Sequence, residues 1–263
     1  MPLPRLQLFE FNDLPRVPAP IRDTVVESLS RVLDWSGMVA AYAEPFERFL
    51  TAAGTRQVLD LGSGAGGPAA LLVDALRAAG AAPVHFQLTD LHPHPESWAR
   101  VLVGREASLT YVAEPVDATA IPAPLAAGRV RTILNVLHHF PPALAQAVLL
   151  DAVQTGEGVF VAEGFERNPL RYLPMWPTGI PAMLLNPVLS PRDNVAKALL
   201  TWFTPTAALV GLWDGVVSTL RVYTEAELRA MVAPAGDNFE WTYATYDYGV
   251  GGRGYNFSGV RRS

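Results

Sequence analysis

Residues 58–68 read VLDLGSGAGGP, and the fold is decided there. A short apolar strand carries one acid, Asp60, and then turns through Gly62, Gly64, Gly66 and Gly67. An alanine- and leucine-rich helical pattern follows over 69–79. A glycine turn that leaves a strand and opens a helix lets a ligand approach the backbone closely. Gly62, Gly64 and Gly67 satisfy the G-x-G-x-x-G spacing of a dinucleotide loop. Asp60 argues against that ligand, because a carboxylate two residues ahead of the first glycine would repel a pyrophosphate. The same carboxylate suits a ligand that carries positive charge. A tight turn with no ligand is the plain alternative, although several glycines in one turn carry an entropic cost.

Outward from this loop, strand and helix patterns alternate. Strands are predicted at 57–61, 84–90, 109–114, 130–137 and 159–163. Helices are predicted between them at 68–79, 95–103, 122–127 and 141–154. Strands separated by helices pair in parallel through right-handed crossovers, giving an α/β, doubly wound sheet covered on both faces. Ahead of the core, 1–20 is extended and punctuated by Pro2, Pro4, Pro15, Pro18 and Pro20. Helical spacing follows over 22–35 and 38–53, and Pro45 should kink or divide the second stretch.

After Glu163 the rhythm stops. Residues 165–219 are rich in proline and aromatics and poor in charge, too long for an ordinary connection. They read as an inserted, mostly helical lid, with the Trp213-Asp214-Gly215 triplet as a turn at its edge. The core pattern resumes with a capping box at Thr224 and Glu227. Two late strands, 239–248 and 255–261, flank a Gly249-Val250-Gly251-Gly252 turn. The expected segments are an extended piece and helical cap over 1–55, an α/β core over 56–164, the insertion over 165–222, and a core helix with closing hairpin over 223–263.

The acid followed by G-x-G-x-G resembles the first motif of the class I S-adenosylmethionine (SAM)-dependent methyltransferases, and Asp60, Gly62, Gly64 and Gly66 match it completely. SAM carries an ammonium and a sulfonium, as the charge argument asks. The phrases TDLHPHP, EPVDATAIP and NVLHHFPP are similar to a bacterial group of small-molecule members. The resemblance covers 57–163 well, the terminal hairpin loosely and the insertion hardly at all. It implies a seven-stranded, mostly parallel Rossmann-like sheet, SAM as cofactor and S-adenosylhomocysteine (SAH) as product. It places cofactor contacts at Asp60, Gly62, Ser63, Gly64, Asp90, Leu91, Asp117, Ala118 and Asn135. Asp90, ending the second strand, would accept the ribose hydroxyls. Asp117 would accept from the adenine amino group, with the Ala118 N–H on the ring and Leu91 flanking it. Each acid has a plainer reading: Asp90 as a helix cap, Asp117 as a cap or Asx-turn.

Chemistry centres on His138 and His139. The family's small-molecule O-methyltransferases often carry a general-base histidine where His138 falls, and a neutral imidazole can take a hydroxyl proton near pH 7. The same LHHF phrase in carbon and nitrogen methylators mainly shapes the cofactor pocket, and a plainer reading of one histidine is a cap on the helix opened by Pro141 and Pro142. Glu163 and Glu166, at the end of the fifth strand, read as substrate-binding acids or, more plainly, as solvated loop acids. His85, His92 and His94 lack the spacing of a metal site, so no metal is expected.

The chain has 263 residues, net charge −5 and no cysteine. That leaves no basic footprint for nucleic acid, no disulfides and no catalytic thiol. The prolines of 172–190 would break a spanning helix, so no integral membrane segment is expected. Trp176, Trp202, Phe203 and Trp213 fit a dry acceptor pocket, ordinary core, a homodimer face or peripheral membrane contact. The reading is a cytoplasmic methyltransferase of a small, hydrophobic molecule, O-methylation favoured. The alternatives are a SAM-binding protein without methyl transfer and an NAD(P)-linked enzyme.

Overall fold

The computed structural model describes residues 3–14, 16–190, 192–249 and 251–262. Met1, Pro2, Pro15, Pro191, Val250 and Ser263 lie outside the described residues. Among those described, seven strands form one sheet: β1 (Gln57–Leu61), β2 (His85–Thr89), β3 (Leu109–Tyr111), β4 (Val130–Leu134), β5 (Gly158–Glu163), β6 (Phe239–Tyr248) and β7 (Gly252–Arg261). Their order is β3-β2-β1-β4-β5-β7-β6. Strands β1 to β5 pair in parallel, and β7 runs antiparallel to β5. The order reverses between β1 and β4, which is where open α/β sheets bind ligands, beyond the carboxyl ends of the strands.

Contacts divide the chain into two compact units. One comprises Met1–Met38, Phe165–Val222 and Asp247–Arg253; the other comprises Val39–Gly164, Tyr223–Tyr246 and Gly254–Ser263. In the second unit β4 and β5 are buried at every position, Arg131, Thr132 and Glu163 included, as in a sheet covered on both faces. After α1 (Ala19–Trp35) in the chain, the helix predicted over 38–53 is two helices, α2 (Met38–Ala41) and α3 (Ala43–Ala53). Pro45 sits in the first turn of α3, where its missing N–H costs nothing. Helices α4 (Gly67–Ala78), α5 (Pro95–Leu102), α6 (Ala123–Ala126) and α7 (Pro142–Thr155) fill the crossovers. The Thr224–Glu227 capping box opens a helix at Glu225–Val232, both of its reciprocal bonds being present.

In the first unit, 165–222 is helical, as its composition implied: Trp176–Leu184, Asn186–Leu189, Asn194–Ala198 and Thr206–Arg221 are its main helices. They pack with the helix Ala19–Trp35: the buried Asn186 amide donates to Thr24 O at 2.7 Å, and buried Lys197 pairs with Glu27 at 2.8 Å. The Trp213-Asp214-Gly215 triplet is not a turn. It lies inside Thr206–Arg221, where a side chain at Gly215 would collide with the Tyr172 ring. Asp214 is buried and accepts the Phe11 and Asn12 N–H groups at 2.7 and 3.1 Å, tying the N-terminal segment to that helix.

Strand ends differ from the sequence expectation where local geometry overrides apolarity. β4 stops at Leu134 rather than continuing to 137, because Asn135 takes φ 56° and turns the chain into a 3-10 turn at Leu137–His139. β3 ends at Tyr111, and β7 begins at Gly252 rather than at Tyr255. Within β7, a Cβ on Gly254 would strike the Glu163 carbonyl and the Tyr246 ring. Gly254→Ala is therefore expected to lose roughly 1–3 kcal/mol of stability through overpacking. A thermal or urea midpoint equal to wild type would show that the strand is not held this close.

Candidate active site

The site is built where β1, β2, β4 and β5 end. Leaving β1, the chain takes positive φ at Gly64, 51°, and at Gly66, 82°. A Cβ on Gly64 would meet nothing within 4 Å, so that backbone is open to an approaching ligand. A Cβ on Gly66 would press on Leu88, Trp98 and Val101 at 3.1 Å, so this glycine serves packing beneath the loop. The loop is pinned from below. Ser63 N donates to Thr89 O at 2.9 Å, Thr89 Oγ1 donates to Asp60 O at 2.7 Å, and the buried Trp98 indole donates to Gly64 O at 2.8 Å.

Asp60 is 2% exposed. Its carboxylate accepts the Thr132 hydroxyl of β4 at 2.6 Å and the Ser63 hydroxyl at 2.7 Å. Burial lifts its carboxyl from the ordinary 3.8 to about 6; the two hydroxyl bonds oppose that rise, and the nearby Asp90 charge adds to it. Two hydroxyl dipoles do not neutralise a buried anion, and a cation would. Asp90, half-buried after β2, accepts Gly64 N–H on Oδ2 at 2.9 Å and His92 N–H on Oδ1 at 2.8 Å. Each oxygen keeps a second lone pair for a hydroxyl donor. Asp117 closes an Asx-turn: Oδ1 accepts the Thr119 N–H at 2.8 Å and its hydroxyl at 2.7 Å, and these bonds hold its carboxyl below the usual range. Asp117 and Leu91 are exposed, Ala118 half-buried, and Gly62 turns at φ 65° against Val136.

Asn135 combines positive φ with a buried side-chain amide nitrogen that has no partner among the described residues. Its backbone N–H is held by Ala162 O at 2.8 Å. A non-glycine residue in the left-handed region is costly and clusters at functional positions.

The histidine that follows is anchored by an acid that the sequence reading took for a solvated loop residue. Glu163 is not solvated; it is 0% exposed at the end of β5. Its Oε1 accepts the His138 backbone N–H at 3.0 Å, and its Oε2 lies 2.7 Å from His138 Nδ1. Strand register explains the meeting, since β4 and β5 are adjacent and end side by side. A proton on Nδ1 shared with this carboxylate puts the lone pair of the neutral ring on Nε2. His139 stacks on His138, with ring centroids 4.2 Å apart.

Tyr42, at the break between α2 and α3, was not singled out from the sequence. It is 0% exposed, and its hydroxyl has no partner among the described residues. Its ring lies 6.3 Å from that of Phe160, on the sheet face shared by Asp60, Thr132 and Phe160. Burial, then the Asp60 and Glu163 charges, push its phenol well above the ordinary range. Only an unpatterned tyrosine between two short helices marked it in the sequence. Thr89, Trp98 and Thr132 were missed for the same reason: nothing in their spacing announces a bond to a loop far along the chain.

No family model matches this chain, and no curated protein matches it. Solved structures do. The plantazolicin methyltransferase BpumL, in complex with SAH, aligns with TM-score 0.55 at 8% identity, covering 93% of this chain and 91% of that one. The methyltransferase domain of bacterial CtHen1 aligns at 0.52 and 12% identity, covering 85% and 99%. NcsB1, an O-methyltransferase from neocarzinostatin biosynthesis in complex with SAM and 2-hydroxy-5-methyl naphthoic acid, aligns at 0.52 and 14%, covering 93% of this chain. The chain spans 59% of the length of NcsB1, and 59% of an O-methyltransferase family protein from Burkholderia thailandensis. At these identities the likeness is one of fold. The chain has the Rossmann-like fold of the SAM-dependent methyltransferases.

The Asp60 titration carries a sign that can be checked. Its folded pKa lies above its unfolded one, so the native state binds the extra proton between about 4 and 6, and this group opposes folding increasingly as pH rises through that window. Asp60→Asn should match wild type in stability near pH 4 and exceed it by on the order of 3 kcal/mol at pH 7 without ligand. Urea unfolding at both pH values measures this, and a difference independent of pH would contradict the burial of an ionisable Asp60.

Proposed function

We propose that this chain is a SAM-dependent methyltransferase that methylates an oxygen on a small, apolar acceptor, with His138 as general base. The observation that carries the reading is the His138–Glu163 pair, buried at the end of adjacent strands beside a glycine loop backed by a buried carboxylate. The residues fit the cofactor. Asp60 is a desolvated anion suited to the ammonium side of an amino-acid nucleoside, and Asp90 has acceptor capacity for two ribose hydroxyls. The open side of Gly64 admits the cofactor, and the Asn135 amide and the Tyr42 hydroxyl are buried donors suited to its carboxylate. Ser63 serves indirectly, by holding Asp60. Asp117, Ala118 and Leu91 lie further along the strand ends as the adenine contacts.

SAM supplies an activated methyl on a sulfonium. The protein's part is to align an oxygen and take its proton. Glu163 fixes the His138 ring and stabilises its positive charge once Nε2 has taken the acceptor's hydroxyl proton. Burial of both residues keeps water from competing for that proton. The acceptor is taken as hydrophobic because small-molecule pockets are lined mostly by apolar and aromatic side chains, and half of this sequence is hydrophobic.

Calorimetry with SAH, with NAD(H) in parallel, tests the cofactor, and binding of NAD(H) alone would defeat the reading. Transfer of labelled methyl from SAM to a panel of hydroxylated small molecules tests the reaction; SAH binding without any labelled product would leave only a binding protein. His138→Ala should lower kcat by roughly 10²- to 10⁴-fold while SAH affinity stays near wild type. Full turnover in that variant would remove His138 as the base.

A further inference from the structure

The exposed apolar side chains of this protein are unevenly distributed. Among the described residues, the second unit exposes large hydrophobics only at Leu91, Val103 and Leu144; all others lie in the first unit, most of them between 170 and 213. In that segment Val188 is 66% exposed, Leu199 53%, Trp202 51% and Phe203 75%. Between 173 and 213, the exposed polar side chains among the described residues are Arg192, Asp193, Asn194 and Thr204. Three of these are consecutive, and the two charges are adjacent and of opposite sign. Soluble proteins seldom leave so much contiguous apolar sequence bare, and where they do it marks a contact surface.

The helices that carry these residues pack on one another. The Trp202 indole donates to Leu184 O at 2.9 Å, and a Cβ on Gly211 would meet the Met183 methyl at 2.9 Å. We infer that this face of the first unit lies on a lipid bilayer, its exposed Trp176, Leu184, Val188, Leu199, Trp202 and Phe203 inserted among acyl chains at the interface. Two observations choose lipid over a protein partner. First, the outward face offers almost no hydrogen-bonding groups. The indoles of Trp202 and Trp213 are already bonded inward, to Leu184 O and Phe9 O, and Thr204 Oγ1 donates to Leu199 O at 3.2 Å. A protein interface of ordinary size carries about ten hydrogen bonds across it. Hydrocarbon needs none.

Second, the segment is as apolar as a membrane span yet shaped to lie flat. No described helix is long and apolar enough to cross a bilayer, but Asn194–Phe203 and Thr206–Arg221 together reach that hydropathy and meet at an 80° bend. Their three charged residues are all buried: Lys197 on Glu27, Asp214 on the Phe11 and Asn12 amides, and Arg221 on Glu10 and Asp13. A broken, one-sided apolar helix pair is the form of an interfacial anchor rather than of a span. With no exposed run of Lys or Arg among the described residues of this segment, attachment rests on burial of apolar surface and not on anionic headgroups.

Flotation of the full chain with phosphatidylcholine vesicles, at 50 and at 500 mM NaCl, tests this. The wild type is expected to float with the vesicles to the same extent, within about twofold, at both salt concentrations. The paired substitution Leu199→Glu and Phe203→Glu should lower vesicle binding at least 10-fold, with an unchanged circular dichroism spectrum because both sites are exposed. Phe203→Leu should retain it. The inference is overturned if the wild type stays with the unbound fraction. It is equally overturned if binding requires phosphatidylserine and vanishes at 500 mM NaCl, or if light scattering shows a vesicle-indifferent dimer that the same two glutamates dissociate. None of these outcomes depends on whether SAH binds.

Discussion

The buried carboxylate of Asp60 is the constraint around which the core is arranged. It sits at the end of β1, where the strand order reverses, and its two hydroxyl partners come from β4 and from the glycine loop. Those bonds tie the strand to β4 and to the loop while leaving the anion under-compensated. A structure that only needed a tight turn would have no reason to bury an acid there, since an apolar residue of similar size would stabilise the fold more. Buried, perturbed carboxyls of this kind cluster at functional sites, and the Gly64 backbone that follows in the same loop is uncovered.

A second acid does comparable work one crossover away. Glu163 is buried on His138, engaging both its backbone and its ring, so the histidine's position and its tautomer are set by one group. The two sites differ in kind. Asp60 is met only by two hydroxyls among the described residues, whereas Glu163 holds a histidine. Between them, β4 ends in the left-handed Asn135, whose geometry turns the chain and delivers His138 to Glu163.

Much of this was legible before any coordinates. The glycine loop and the alternation of apolar runs with helical stretches set the sheet, because burial on both faces leaves a plain composition signal. The predicted bounds of β1 and β6 agree with the structure. Where the reading failed, a single residue's environment overrode local pattern. Asn135 cut β4 short although Val136 and Leu137 continue its apolarity. Gly215, read as a turn, is a helix position emptied for the Tyr172 ring. Glu163 looked solvated because its neighbours are a glycine and a loop; only the pairing of β5 with β4 reveals its burial. Tyr42 and Thr132 are bound to the site by tertiary approach alone, which no spacing along the chain encodes.

The measurement that bears most directly on the central claim is the number of protons exchanged when SAH binds at pH 6, obtained by calorimetry in buffers of different ionisation enthalpy. If Asp60 is a carboxyl near half-protonation that ionises against the ligand's ammonium, binding should release about half a proton, and Asp60→Asn should bind with none released. Binding with no proton exchange in the wild type, or release undiminished in the variant, would contradict the account.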